Sequence, residues 1–425
     1  MSEPRFDAIV IGGGLAGTTS FLELTRRGLS VLLIDANKQI ADGASYANGG
    51  MLTASMADPW NGPGVFKHIL ASLFDPKAAM KLRFKSIPEM VPWGVKFLAN
   101  STPHKYANAV LQNFLLAKFS LEATKTLVQD LNQAHLVAES GTLKVFENHS
   151  AFAEQLNNAE RLAKEGLRFQ VLNPDDVREI EPNLSGTKIN LVKGIYYPDD
   201  MVGDARAFCI AVADEAKKSG GQIWLDTLVE TILVENGQVV GVRSKSRTAF
   251  ANKVIVAAGD ASPKLVKPMR IGLAIKPVKG YSITFNIHGD NHRPKIPIID
   301  DAMHAAVTPI GDKLRVVGTA EFTGKDKRLS QSRLDNLMAL LARVYPEISV
   351  KLDTNSGEAW TGFRPMSADG LAYVGPTHIS GLWLNTGHGH LGWTMAVGSS
   401  RILAQQMFGD TPSINPKPFF PNRSQ

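Results

Sequence analysis

The stretch AIVIGGGLAG, residues 8–17, constrains this chain more than any other. Its apolar half, Ala8 to Ile11, suits a buried parallel strand, and the glycines that follow make the turn into a helix. Gly12 permits the tight turn. Gly14 lets backbone approach a pyrophosphate, and Gly17 lets helix and strand pack closely. Phosphates would sit on the free amides of the helix start, with Ile11, Leu15 and Ala16 around them. A second apolar run, Val31 to Ile34, ends in Asp35, about 20 residues beyond the glycines, where an acid holds a ribose hydroxyl. Glycines between two strands, followed by that acid, predict a bound dinucleotide.

With 425 residues, 44% of them hydrophobic and 20% charged, the chain suits a globular protein of two or three domains. Cys209 is its one cysteine, which excludes an intrachain disulfide and favours a reducing, cytoplasmic compartment. No apolar stretch reaches the ~20 residues that span a bilayer. Asp7 and the glycines interrupt the first apolar run, so it reads as a strand and not as a signal peptide. No metal-ligand cluster and no nucleic-acid signature is evident. The net charge of +6 is dispersed, except where residues 65–85 interleave Lys67, Lys77, Lys81, Arg83 and Lys85 with Phe66, Leu70, Phe74 and Phe84. That segment reads either as a helical lobe with a solvated basic face or as a peripheral contact with an anionic membrane.

Beyond the opening unit, residues 61–135 have a helical period, with Val110, Phe114, Ala117, Leu121, Thr124 and Val128 on one face. Gly141 to Glu147 reads as a strand, and Asn173-Pro174 as a helix start. From Gly203 the dinucleotide-fold pattern returns: a helix over 204–219, a strand at GQIWL, and a hairpin turning at Asn236-Gly237. The buried strand KVIVAAG ends at Ala258-Gly259. Residues 271–320 alternate as an antiparallel sheet, a helix lies near 330–345, and GLWLNTG precedes a final helix ending near Met407. The chain thus returns twice to one sheet, a layout that favours FAD over NAD. The expected fold is α/β (α+β overall). A discontinuous Rossmann-like FAD-binding domain (1–60, 195–268, 352–425) carries an inserted helical and antiparallel-sheet substrate domain (61–194, 269–351).

The chain resembles the D-amino-acid oxidase superfamily of flavoproteins, within it the bacterial D-amino-acid dehydrogenase small-subunit group. The resemblance spans nearly the whole chain. It rests on IVIGGGLAG, SYANGG (Ser45 to Gly50), DPWNGPG (Asp58 to Gly64), VKGYSIT (Val278 to Thr284), WTGFRPMSADG (Trp360 to Gly370) and LNTGHGHLGWTMAVGSS (Leu384 to Ser400). Two departures stand out. Ser367-Ala368-Asp369 replaces the family's Thr-Pro-Asp, and His390 replaces a Thr, which bears on acceptor or substrate preference.

The resemblance implies FAD held noncovalently and oxidation of a D-amino acid by hydride transfer to the flavin N5. The products are a 2-oxo acid and ammonia, and electrons pass to a quinone or other acceptor, at a site that touches the inner face of the membrane at most peripherally. D-proline or D-hydroxyproline dehydrogenase and glycine/sarcosine-type oxidase are alternatives, as is a non-redox carrier on the same fold. Asp35 and Ala36 would meet the ribose. Ser45, Asn48, Gly49 and Gly50 would approach the ribityl chain and ring, Val229 the adenine, and Ala258 and Gly259 the pyrophosphate. The helix start at Gly389, His390, Leu391, Gly392, Trp393 and Thr394 would aim its amides at charge on the flavin edge. His388 is as readily a loop residue that satisfies backbone. Arg364 would clamp the substrate carboxylate with its guanidinium fork, its backbone restricted by Pro365. Tyr281 would donate to the same carboxylate, or else be a core tyrosine with its hydroxyl satisfied internally.

Overall fold

The computed structural model describes residues 3–66, 80–82, 87–287, 293–353 and 356–423. Two large sheets, of six and nine strands, dominate the fold.

The first sheet has six strands, ordered Gln222–Trp224, Val31–Ile34, Ala8–Ile11, Val254–Val256, Leu382–Thr386 and Tyr373–Pro376. All neighbours run parallel except the last pair. Its central strands are apolar on both faces because both are covered. Ala8 and Val10 join Val31 and Leu33 in a core shared with the helices Leu15–Arg26, Ala205–Lys218 and Gly392–Phe408. Ile9 and Ile11 join Leu32 and Ile34 on the other face, against a four-stranded sheet that includes Val229–Glu235 and Gln238–Ser244. Those two strands form the expected hairpin. Asn236 (φ 49°) and Gly237 (φ 77°) supply the two left-handed residues of a type I′ turn.

The second sheet has nine strands and mixed direction, and Ile275–Asn286, Lys313–Phe322 and Ala305–Ile310 are antiparallel neighbours within it. Glu358–Ser367 forms its edge, paired with Ile275–Asn286, although the sequence groups it with the dinucleotide-binding pieces. The long helix Pro103–Asp130 also departs from that grouping. Its expected apolar face is buried, but in the core of the first sheet, where the Gly398 amide donates to Ser120 Oγ at 2.9 Å. Small residues permit this approach: a Cβ on Gly398 would stand 2.6 Å from the Ser120 Cβ. The strand Thr142–Phe146, the helix Pro174–Ile180 with its Asn173/Asp176 capping box, and the helix Gln331–Val344 match expectation. Most of the basic segment 65–85 lies outside the described residues. Within it, Met80–Leu82 pairs as a strand with Lys313–Phe322, where a helical lobe was expected.

Candidate active site

A cavity of about 1930 Å³ lies between the carboxyl ends of the parallel strands and the face of the nine-stranded sheet. Open α/β sheets bind ligands at that end of their strands. Pockets for a single drug-sized ligand measure roughly 300–1,000 Å³, so this one has room for a dinucleotide together with a second molecule.

At one end the glycine turn fits as its spacing predicts. A Cβ on Gly12 (φ 116°) would meet the Ala257 carbonyl oxygen at 2.4 Å, and one on Gly17 would meet the Gly12 carbonyl oxygen at 1.7 Å. Both glycines are therefore fixed by the protein's own packing. Gly14 differs. Its φ of −84° suits any residue, and a Cβ there would touch only Ser45 Oγ, at 3.3 Å. What its missing side chain leaves open is cavity. The Gly13 amide donates to Asp35 Oδ2 (2.5 Å) and the Asn37 amide to Asp35 Oδ1 (2.7 Å), which fixes the carboxylate on the cavity wall. Ser45 Oγ accepts from the Leu15 amide at 3.2 Å. Ile11, Ala16, Ala36, Asn48, Gly49, Val229, Ala258 and Gly259 line the same cavity.

Farther along, Gly389, His390, Gly392 and Trp393 bring a second helix start to the wall. No side chain caps the helix Gly392–Phe408, and its first turn holds no acid. Four expected residues serve the walls without lining them. Gly17 packs under the turn, and a Cβ on Gly50 (φ 74°) would strike Ile310 at 2.3 Å. Leu391 is in the core, and Thr394 Oγ1 accepts from the Thr53 amide at 3.0 Å.

Arg364 enters from the sheet edge. Its Nη1 donates to the Thr319 carbonyl at 3.2 Å, and its guanidinium carbon lies 5.5 Å from the centre of the Trp60 ring. Among the described residues no carboxylate stands within ion-pair distance of it, and burial alone pushes its pKa down to about 10. Its remaining donors are available to an anion in the cavity, and a carboxylate matches the fork. The orientation depends on a bulge. Tyr281 pairs with Gly318 but Lys279 with Glu321, so an extra residue is accommodated near Thr319. Thr319 takes φ 59°, a strained value for a β-branched side chain, and its carbonyl turns toward Arg364.

His390 stacks on Trp60 (centroids 5.5 Å apart, 21° between planes), and its Nε2 donates to the Met56 carbonyl at 3.3 Å. Burial, with Arg364 adding to it, pushes its pKa down to about 4, so the ring is neutral near pH 7. His388 is likewise pushed to about 4 by burial, and its Nε2 meets Ser399 Oγ at 3.2 Å. The Tyr281 hydroxyl donates to Glu321 Oε2 at 2.7 Å, and Glu321 also pairs with buried Arg333 at 3.0 Å. The structure thus brings Tyr281 to the cavity wall while its hydroxyl bonds inward. Trp60, Met56 and Thr319 had no role in the sequence reading. For Trp60 the signal was present, since it lies within DPWNGPG, Asp58 to Gly64, one of the motifs that carry the family resemblance.

Residues 7–406 match the DAO family of FAD dependent oxidoreductases. The chain belongs to this family. Relatives include a D-amino acid dehydrogenase of Vibrio cholerae, 32% identical over 96% of each chain. Another, of Rhizobium johnstonii, is 33% identical over 96% of this chain and 97% of its own. In fold the chain is similar to glycine oxidase from Geobacillus kaustophilus, with TM-score 0.77 at 21% identity over 99% of this chain and 100% of that one. An L-proline dehydrogenase from P. horikoshii also scores 0.77, at 18% identity over 99% and 98%. The residues present fit the family's FAD: two helix starts without acids face one cavity, and the one motif glycine that packing does not require borders it.

Proposed function

We propose that this chain oxidises a D-amino acid to a 2-oxo acid and ammonia. The observation that carries the reading is Arg364: a half-buried guanidinium without an acid, facing the cavity that the glycine turn opens. In this reading Gly12, Gly14, Asp35, Ser45, Val229 and Gly259 hold the cofactor, and the helix start at Gly389–Trp393 faces its redox-active end. FAD, when bound, would supply the hydride acceptor, and the electrons would pass on to a quinone or another acceptor. Arg364 anchors the substrate carboxylate, and the Thr319 carbonyl fixes the side chain that does so. Trp60 and His390 wall the same space. The neutral His390 adds no second cation to compete for the carboxylate. With its Nε2 proton held by Met56, its Nδ1 is an acceptor suited to an amine.

Among the described residues no helix is long and apolar enough to cross a membrane. Delivery to a membrane quinone in this reading uses peripheral contact at the inner face, through the basic and aromatic residues of 65–85.

The test is direct. The purified holoprotein, given D-alanine without oxygen, should lose its visible flavin absorbance and release pyruvate and ammonia. A protein that binds FAD and is bleached by no amino acid of either hand is not this enzyme. One that stays colourless with added FAD is a carrier.

A further inference from the structure

Gly280 stands directly opposite Gly362 where the strands Ile275–Asn286 and Glu358–Ser367 pair, and both glycines line the cavity. Opposed residues share a face of a sheet, as do residues two apart along a strand. Trp360 and Arg364 therefore flank Gly362 on that face, and each leans over the bare patch that the glycines leave. A Cβ on Gly362 would meet the Trp360 ring at 2.2 Å. One on Gly280 would meet Arg364 Nη1 at 2.3 Å, Cζ at 2.6 Å and Nη2 at 2.7 Å. Those are its three nearest atoms, and all belong to the guanidinium.

The backbone itself does not call for a glycine here. Gly280 lies within a strand and has no positive φ. The extra residue of the nearby bulge belongs to the opposite strand, where Thr319 and Ala320 stand against Gly280 alone. Gly17 makes the contrast: its missing side chain leaves room for a backbone oxygen, whereas that of Gly280 leaves room for the end of one flexible side chain.

We propose that Gly280 is a positioning residue for Arg364. Lacking a side chain, it lets the guanidinium lie against the sheet, at the depth where Nη1 reaches the Thr319 carbonyl. The inference rests on the reading of Arg364 as the carboxylate anchor. A methyl at position 280 would lift the guanidinium toward the cavity, at little cost to the fold because a flexible end moves and no backbone does. The anchored carboxylate would move with it, and a displacement of ~1 Å at a reacting centre can cost about 100-fold in rate.

The test is Gly280→Ala in the FAD-loaded full-length protein, with an artificial acceptor and D-alanine or whichever D-amino acid bleaches the flavin. Its kcat/KM should fall about tenfold or more, with the bound-flavin spectrum unchanged. Its melting temperature should stay within about 3 °C of wild type, where a merely structural glycine would do the reverse. The same substitution in Arg364→Ala protein should change kcat/KM by less than about threefold, because the group it displaces is gone. A smaller loss in the first variant, a larger one in the second, or a Gly280→Ala protein that melts lower or does not fold each overturns the proposal. Loss of activity with Arg364→Ala but not with Gly280→Ala removes Gly280 and leaves the anchor. An Arg364→Ala protein with wild-type kcat/KM removes both.

Discussion

The guanidinium carbon of Arg364 stands 5.5 Å from the centre of the Trp60 ring, so its cation is held against an aromatic face with no acid beside it. Stacking of this kind contributes roughly 0.5–2 kcal/mol and leaves the in-plane N–H donors of the guanidinium open. The ring and the Thr319 carbonyl therefore orient Arg364 without neutralising it.

Arg364→Ala should lower kcat/KM for an amino acid by at least ~10-fold, since a charge-assisted hydrogen bond is worth ~1.5–3 kcal/mol. The loss should fall largely in KM, and the bound-flavin spectrum should keep its wild-type shape. Arg364→Lys should recover only part, because an ammonium lacks the fork. Steady-state kinetics beside a visible spectrum check both; an unchanged KM places the carboxylate elsewhere.

Gly14 and Gly17 belong to one motif but answer to different constraints. Gly17→Ala puts a methyl 1.7 Å from the Gly12 carbonyl oxygen, a backbone atom that cannot turn aside, and should lower the melting temperature of apoprotein and holoprotein alike. Gly14→Ala sits at an ordinary φ with one contact at 3.3 Å. It should leave apoprotein stability within ~0.5 kcal/mol of wild type while weakening FAD binding. Thermal melts with and without FAD, and a flavin titration, separate the two. If Gly14→Ala binds FAD normally, the backbone there does not approach the cofactor.

The difference between these glycines also marks how far the sequence could be read. Spacing alone located the turn, the acid at Asp35, the Asn236-Gly237 hairpin and the helix start after His390, because each is a local pattern with a local physical cause. The bulge that turns Thr319 toward Arg364 is not local. It arises from register between Ile275–Asn286 and Lys313–Phe322; Gly280 and Gly318 flank it, but a glycine within a strand does not by itself say which residue bulges or where its carbonyl turns. The stack of Trp60 on His390 joins residues 330 positions apart, and no periodicity encodes it. Placing Glu358–Ser367 in the second sheet depended on a pairing partner about 80 residues upstream, which chain proximity to the final βα unit does not reveal.

Tyr281 tests the same boundary. Its hydroxyl donates to Glu321, which also pairs with Arg333, and all three are nearly inaccessible. Tyr281→Phe leaves a buried carboxylate short of a donor and should cost ~1–3 kcal/mol of stability. KM should stay within about threefold of wild type, because one lost neutral contact to substrate would exceed that. A larger rise in KM with unchanged stability would restore Tyr281 to the carboxylate site.

Charge reversal in the basic segment addresses the membrane. Lys81→Glu with Arg83→Glu removes two cations and adds two acids, and each basic residue near an anionic surface contributes ~1 kcal/mol. The double variant should sediment less with anionic vesicles and reduce a membrane quinone more slowly, while its rate with a soluble dye is retained. Identical sedimentation of variant and wild type leaves an ordinary solvated face.

His388 makes stability depend on pH in a definite direction. Burial holds its folded pKa at about 4, below the ordinary 6.5, so between those values the unfolded chain carries a proton that the folded protein does not. Stability is fully present above pH 6.5 and declines as pH falls toward 4, by up to ~1.4 kcal/mol per pH unit from this one group. His388→Gln keeps a polar partner for Ser399 and cannot titrate. The variant's stability should therefore fall less steeply than wild type's across that window, even if it starts lower at pH 7. Urea unfolding at several pH values between 7 and 4 gives the two slopes. Parallel curves would mean that the ring takes up its proton inside the folded protein, with water or a rearranged loop reaching it.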